Sequence, residues 1–145
     1  MLRGIHPALS PELLATLCRM GHGDELILAD AHFPGENLGP PVLRADGSDI
    51  ATLLDGILPL VALDTYVEAP LVMMDAVPGD VLDPAVEARY RAVVDRHDPQ
   101  APAIRRLERF EFYERARGAF CVVMTGDVAK YGNLLLKKGV TPPPG

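Results

Sequence analysis

The sequence predicts a three-layer α/β domain, with a mainly parallel sheet and helices packed on both of its faces. Two patterns carry that prediction. Stretches with apolar residues at helical spacing alternate with short, unbroken apolar runs, and an unbroken run is the mark of a strand covered on both faces. Two of these runs close on a carboxylate, Asp30 and Asp75, at the position where such sheets gather ligands. A chain of 145 residues suits one domain, large enough to bury about two-thirds of the surface it exposes unfolded. Its 48% hydrophobic and 23% charged content lies near the globular average, so a packed core is expected rather than a disordered chain. We assign residues 1–140 to the single domain and the proline-rich residues 141–145 to a flexible tail.

The elements follow in order. Ser10 and Pro11 open the first helix, a capping hydroxyl before a proline whose fixed φ suits the first helical position. Leu13, Leu14, Leu17 and Cys18 mark its apolar face, and Gly21 stops it. ELILA at 25–29 is the first strand, and AHFPGENLGPP at 31–41, with three prolines and two glycines, is an ordered surface loop. Ser48 caps a second helix with Ile50, Leu53, Leu54, Ile57 and Leu58 on one face before Pro59 ends it. LVMMDAV at 71–77 is a buried strand. Asp83 and Pro84 open a third helix through about His97, with Val86, Tyr90, Val93 and Val94 inward and Glu87 spaced to pair with Arg91. The charged stretch RRLERFEFYERARG at 105–118 reads as a fourth helix with Leu107, Phe110 and Tyr113 inward. AFCVVMTG and NLLLKKG supply two last strands.

Composition also excludes function classes. A net charge of −6 gives no basic footprint for nucleic acid or for an anionic membrane. No apolar run approaches transmembrane length, and the N-terminal stretch, broken by prolines and charges, lacks the core of a signal peptide. The expected compartment is the cytoplasm. Cys18 and Cys121 lie far apart among apolar residues and read as buried free thiols. Glycine-rich phosphate motifs and the GxSxG nucleophile pattern do not occur.

The densest polar stretch is MGHGDELILADAHFPG at 20–35. His22, between two glycines, is either a polar residue in a helix-ending turn or an imidazole placed for proton transfer near neutral pH. His22, Asp24, Asp30 and His32 lack the spacing of helical zinc ligands, which argues against a metal site. An extended path of eight residues spans up to roughly 26 Å, so His22 and Asp30 reach one small ligand within a copy only if the chain doubles back near residues 22–25. Otherwise a pocket using both is shared between neighbouring subunits. Arg109 sits among aromatics as a solvated ion-pairing residue or as a fork-shaped donor to a polar ligand. AKYGN at 129–133 is either an ordinary turn or a set of hydrogen-bonding groups before a strand.

With these residues in view, the chain resembles the L-fucose mutarotase branch of the family that includes the bacterial D-ribose pyranases. The likeness runs from the SPELL helix to KKGVTP. It is carried by MGHGDE at 20–25, ADAHFP at 29–34, PLVMMDAV at 70–77, RFEFYERA at 109–116 and KYGNLLLKKGV at 130–140. GHGDE and YGN belong to the wider family, while DAHFP and RFEFYER point to the fucose branch; the GENLG loop at 35–39 and the proline tail depart from the pattern.

The resemblance implies an enzyme that interconverts the anomers of a free sugar, L-fucose first and D-ribose as the alternative, without cofactor or metal. It implies His22 as the acid/base residue and Asp30, Arg109, Tyr131, Gly132 and Asn133 as sugar ligands. It also implies a ring-shaped homo-oligomer with sites between neighbours. A non-catalytic sugar-binding module is the reading from another class. An apolar contact for the C5 methyl of fucose would separate the two sugars, with Phe33 and Tyr113 as candidates.

Overall fold

A computed structural model describes all residues, 1–145. The chain runs α1 (Pro11–Arg19), β1 (Glu25–Ala29), a 3-10 turn (Gly35–Asn37), β2 (Val42–Ala45), α2 (Ile50–Ile57), β3 (Leu71–Met74), α3 (Pro84–His97), β4 (Arg105–Leu107), α4 (Arg109–Arg117), β5 (Cys121–Thr125) and β6 (Leu134–Lys137). The six strands form one sheet in the order β2-β5-β1-β6-β3-β4. β1, β2 and β5 are mutually parallel, as are β3 and β4, while β6 pairs antiparallel with both β1 and β3. Five strands therefore share a direction, and β6 alone opposes them near the middle.

The unbroken apolar runs have the predicted cause. Side chains alternate across a strand, so Leu26, Leu28, Leu71, Met73, Cys121, Val123, Leu134 and Leu136 pack on one face with α1, α2 and α3. Ile27, Ala29, Val72, Met74, Val122, Met124 and Leu135 pack on the other with Phe112 and Ala116 of α4 and with Phe33 and Leu38. The four central strands β1, β3, β5 and β6 thus carry apolar residues on both faces. No helix is long and apolar enough to cross a membrane, and residues 141–145 are exposed with no helix or strand.

Several expectations change in detail. Asp49, not Ser48, caps α2, its carboxylate accepting from Thr52 N. The second carboxylate at that helix start is Asp127, which accepts from Ile50 N. The strand over 71–77 ends at Met74. The stretch at 105–118 divides: residues 105–107 pair with β3 as β4, and the helix starts at Arg109 after Glu108, whose side chain accepts from Phe110 N and Glu111 N. That start sets the inward stripe at Phe112 and Ala116, four apart, and leaves Phe110 67% exposed. Cys18 is exposed, because α1 buries Leu13 and Leu17 and turns the next position outward; Cys121 is buried as expected. Glu87 pairs with Arg106 of β4, and Arg91 with Asp95 instead.

Candidate functional site

The Gly21 amide donates to Asp24 Oδ2 at 2.7 Å and the Gly21 carbonyl accepts from Asp24 N at 3.1 Å, closing a turn with His22 and Gly23 at its centre. Gly23, at the third position of the turn, has φ +87, the left-handed value that a type II turn takes there and that glycine adopts without strain. Bonds from Gly23 N to Lys138 O and from Lys138 N to Asp24 O fasten the turn to the end of β6, while Lys138 Nζ donates to Leu17 O and Met20 O at the end of α1. His22 is thereby held at the tip of a braced turn, its side chain 45% exposed.

Its Nε2 lies 3.1 Å from Oδ1 of Asp64, whose side chain is 3% exposed. The same Oδ1 accepts from Tyr66 N at 3.0 Å, and the Tyr66 ring tilts against the imidazole with centroids 5.2 Å apart. Burial pushes the Asp64 carboxyl up, but the Tyr66 N–H, the bond and charge of His22 and the charge of Lys137 outweigh it and hold the group below its usual range.

Asp30 stands at the opposite end of β1. It is buried, its N–H donates to Asn133 Oδ1 at 2.8 Å, and its carboxylate accepts from His32 N and Gly132 N at 2.9 and 3.2 Å. Burial raises its pKa, and these backbone donors and the charge of His32 counter only part of that rise. The loop before β6 is fixed by three contacts. Tyr131, the one non-glycine residue with positive φ (57°), donates from its hydroxyl to Asp80 Oδ2 at 2.7 Å. Lys130 pairs with the same carboxylate, and together Lys130, Tyr131 and the Val81 N–H lower the Asp80 pKa to about 2. Beneath them Tyr90 of α3 donates to Gly132 O at 2.7 Å.

These groups frame a cavity of about 150 Å³ lined by Asp30, His32, Asn133, Lys130 and Tyr131 on its polar side and Phe33, Met74 and Tyr113 on its apolar side. Arg109 does not line it. Its guanidinium lies over the Tyr113 ring, 5.7 Å from the centroid, and so reaches the rim through that ring. A larger depression of about 520 Å³ adjoins the site across Asp80 and Lys130. The carboxylates there are already engaged, Asp80 with Tyr131 and Asp127 with Ile50 N and Ala129 N. No group of three or more His, Cys, Asp or Glu side chains is spaced to hold a metal ion.

Of the six residues singled out in the sequence, the fold gathers Asp30, Tyr131, Gly132 and Asn133, sets Arg109 near them and holds His22 apart. The turn at 21–24 does not bring the chain back. It precedes β1, whose five residues rise about 13 Å between the two ends. Asp64 and Met74 were missed, and His32, weighed from sequence only as a metal ligand, lines the cavity. The one signal for Asp64 is a lone carboxylate in the apolar stretch ILPLVALD, which needs a partner once buried.

A model of the RbsD / FucU transport protein family matches residues 3–141. The chain belongs to that family. It is 61% identical over 142 residues to the L-fucose mutarotase of Glaesserella parasuis serovar 5 (strain SH0165), covering 98% of this chain and 97% of that protein. Among solved structures it superposes on FucU from Bifidobacterium longum with a TM-score of 0.92 at 45% identity, over 97% of this chain and 100% of that one. The fucose mutarotase from Streptococcus pneumoniae, solved in complex with L-fucose, gives a TM-score of 0.92 at 41% identity over the same shares. These likenesses extend over the whole domain, so the six-stranded mixed sheet is shared with those structures.

Proposed function

We propose that this chain interconverts the α and β anomers of free L-fucose by acid/base-assisted ring opening and reclosure. The observation that carries the reading is the two-sided cavity at the end of β1. Asp30, Asn133 and Tyr131 offer hydrogen-bonding groups for ring hydroxyls, while Phe33, Met74 and Tyr113 offer an apolar wall for a methyl-bearing edge. A 6-deoxy sugar presents both kinds of surface. The identity with fucose mutarotases supports the same choice.

Opening the cyclic hemiacetal moves one proton off the anomeric hydroxyl and one onto the ring oxygen; rotation of the freed aldehyde and reclosure give the other anomer. These transfers balance without a redox group, so the reaction needs no cofactor. His22 supplies the acid/base function, worth typically about 10²- to 10⁴-fold, and Asp30, Tyr131, Gly132 and Asn133 hold the sugar, with Arg109 closing the rim. Because His22 and Asp30 stand at opposite ends of β1, the working site takes His22 from a neighbouring copy in a ring-shaped homo-oligomer. Exposed apolar side chains occur near both halves, Tyr66 (77%) beside His22 and Phe110 (67%) beside Arg109, and suit such a contact. The free thiols of Cys18 and Cys121 fit the cytoplasm.

Exchange NMR of the anomeric protons of L-fucose and D-ribose, with micromolar protein and a chelator present, tests the proposal. Faster exchange of fucose that survives chelation is expected. Acceleration of ribose alone moves the chain to the pyranase branch, and acceleration of neither leaves a sugar-binding module.

A further inference from the structure

We infer that Asp64 is a positioning residue for His22: it accepts the Nε2–H bond, fixes the imidazole in one tautomer, and leaves Nδ1 as the nitrogen that exchanges a proton with the substrate. The inference rests on the proposal that His22 is the acid/base residue.

The geometry of the pair carries it. Asp64 is buried and has no freedom to leave His22. Its N–H donates to Lys137 O, Leu63 bridges to Lys138, and Gly139 packs so closely against the Leu63 carbonyl that even a Cβ there would collide with it. Gly139 N donates to Ala62 O across the same contact. The His22 turn is attached to this very segment through Lys138. Both partners are therefore mounted on one rigid frame, the end of β6, although they are 42 residues apart in sequence.

The carboxylate has a clear polarity. Oδ1 already accepts a backbone N–H from Tyr66, and an ionised carboxylate accepts only, so the imidazole nitrogen facing it must carry the proton. In the neutral ring the other nitrogen, Nδ1, then holds the lone pair. When Nδ1 takes the anomeric proton, the ring becomes an imidazolium with both nitrogens protonated, and Asp64 stays ionised beside it. The C1–O5 bond breaks with its electron pair on O5, Nδ1 returns the proton to O5, and C1 is left as the aldehyde carbon. No net proton is gained or lost. Among the neighbouring charged groups, Lys137 acts on Asp64 through its charge and also pairs with Glu25, while Asp24 and Lys138 of the braced turn are tied to Gly21 N and to Leu17 O and Met20 O. Tyr66 covers one side of the ring without competing for Nε2.

The test is long-range proton–nitrogen NMR of the histidine ring in wild type, with anomer exchange rates measured on wild type, Asp64→Ala, Asp64→Asn and His22→Ala. Wild-type His22 is expected in the Nε2–H form. Asp64→Ala is expected to lose that single form and to turn over at least about tenfold more slowly at unchanged sugar affinity. Asp64→Asn keeps an acceptor for Tyr66 N–H and serves if the alanine variant does not fold; with its charge gone, its pH–rate profile shifts relative to wild type. An Nδ1–H tautomer in wild type overturns the inference whichever variants fold. So does wild-type turnover with an unshifted profile in the folded Asp64 variants while His22→Ala is inactive. Full activity of His22→Ala instead defeats the underlying assignment of His22.

Discussion

His22→Ala removes a half-exposed side chain whose only hydrogen-bonding partner in the chain is Asp64, so the variant is expected to fold and to bind sugar. Its turnover should fall about 100-fold or more, read as anomer exchange against calorimetric affinity; wild-type turnover rejects the acid/base role. The pKa values of Asp30 and Asp80, around the cavity, are shifted in opposite directions. Asp30 is raised above its ordinary value by burial, so on acidification it protonates before Asp80, which Lys130 and Tyr131 hold at about 2. For stability, the folded state binds the Asp30 proton more tightly than the unfolded chain does, and the term favours folding less as pH rises through that window. Asp80 has the reverse sign, its contribution being complete above about 4 and lost as pH falls toward 2. Sugar affinity should therefore fall with Asp30 while the Tyr131 ring signals stay unchanged; simultaneous loss of both would show that the Asp80 clamp is weaker than its geometry. His22 and Asp30 were legible because glycine-flanked histidine and strand-end carboxylate are local patterns. Asp64 was not, since its partner lies across the sheet end and no spacing encodes that approach.

At the level of elements, helix α3 matters to the cavity through Tyr90, whose hydroxyl lies under Gly132. Gly132 is needed for closeness: a Cβ there would stand 2.8 Å from Ala129 O and 3.2 Å from the Tyr90 hydroxyl. Tyr90→Phe leaves the Gly132 carbonyl without that donor and should cost about 1–3 kcal/mol of stability. Both Tyr90→Phe and Gly132→Ala are expected to raise KM with kcat little changed, because they disturb the loop proposed to hold the sugar and His22 sits at the other end of the sheet. A fall in kcat at constant KM would contradict that division. The major helices and the four doubly covered strands could be read from sequence because each has an unbroken apolar run or a helical stripe. VLRA and RRL could not, being edge strands whose solvated side admits arginine and breaks the pattern. Strand direction was equally hidden: the apolar run of β6 is the same read either way, and only the turn at Lys130 and Tyr131, just before the strand, sends it back between β1 and β3.

For the whole molecule, the decisive quantity is the length of β1. His22 and Asp30 flank a five-residue strand in the rigid centre of the sheet, with β5 and β6 bonded along its two sides, so no side-chain rotation or loop movement closes a gap of about 13 Å. If both act on one sugar, they come from different copies. Two inactive variants, His22→Ala and Asp30→Asn, then each keep one intact half, and co-expressed chains that assemble at random place an intact His22 half against an intact Asp30 half in roughly a quarter of the sites. Mixed assemblies are expected to recover about that fraction of wild-type exchange, whereas each variant assembled alone stays inactive. A site contained in one chain predicts no recovery at any mixing ratio, because every chain would carry one lesion. Dilution gives the matching control: activity per chain should fall as the assembly dissociates, and a fully active monomer would require the two ends of β1 to meet in a fold that holds them apart.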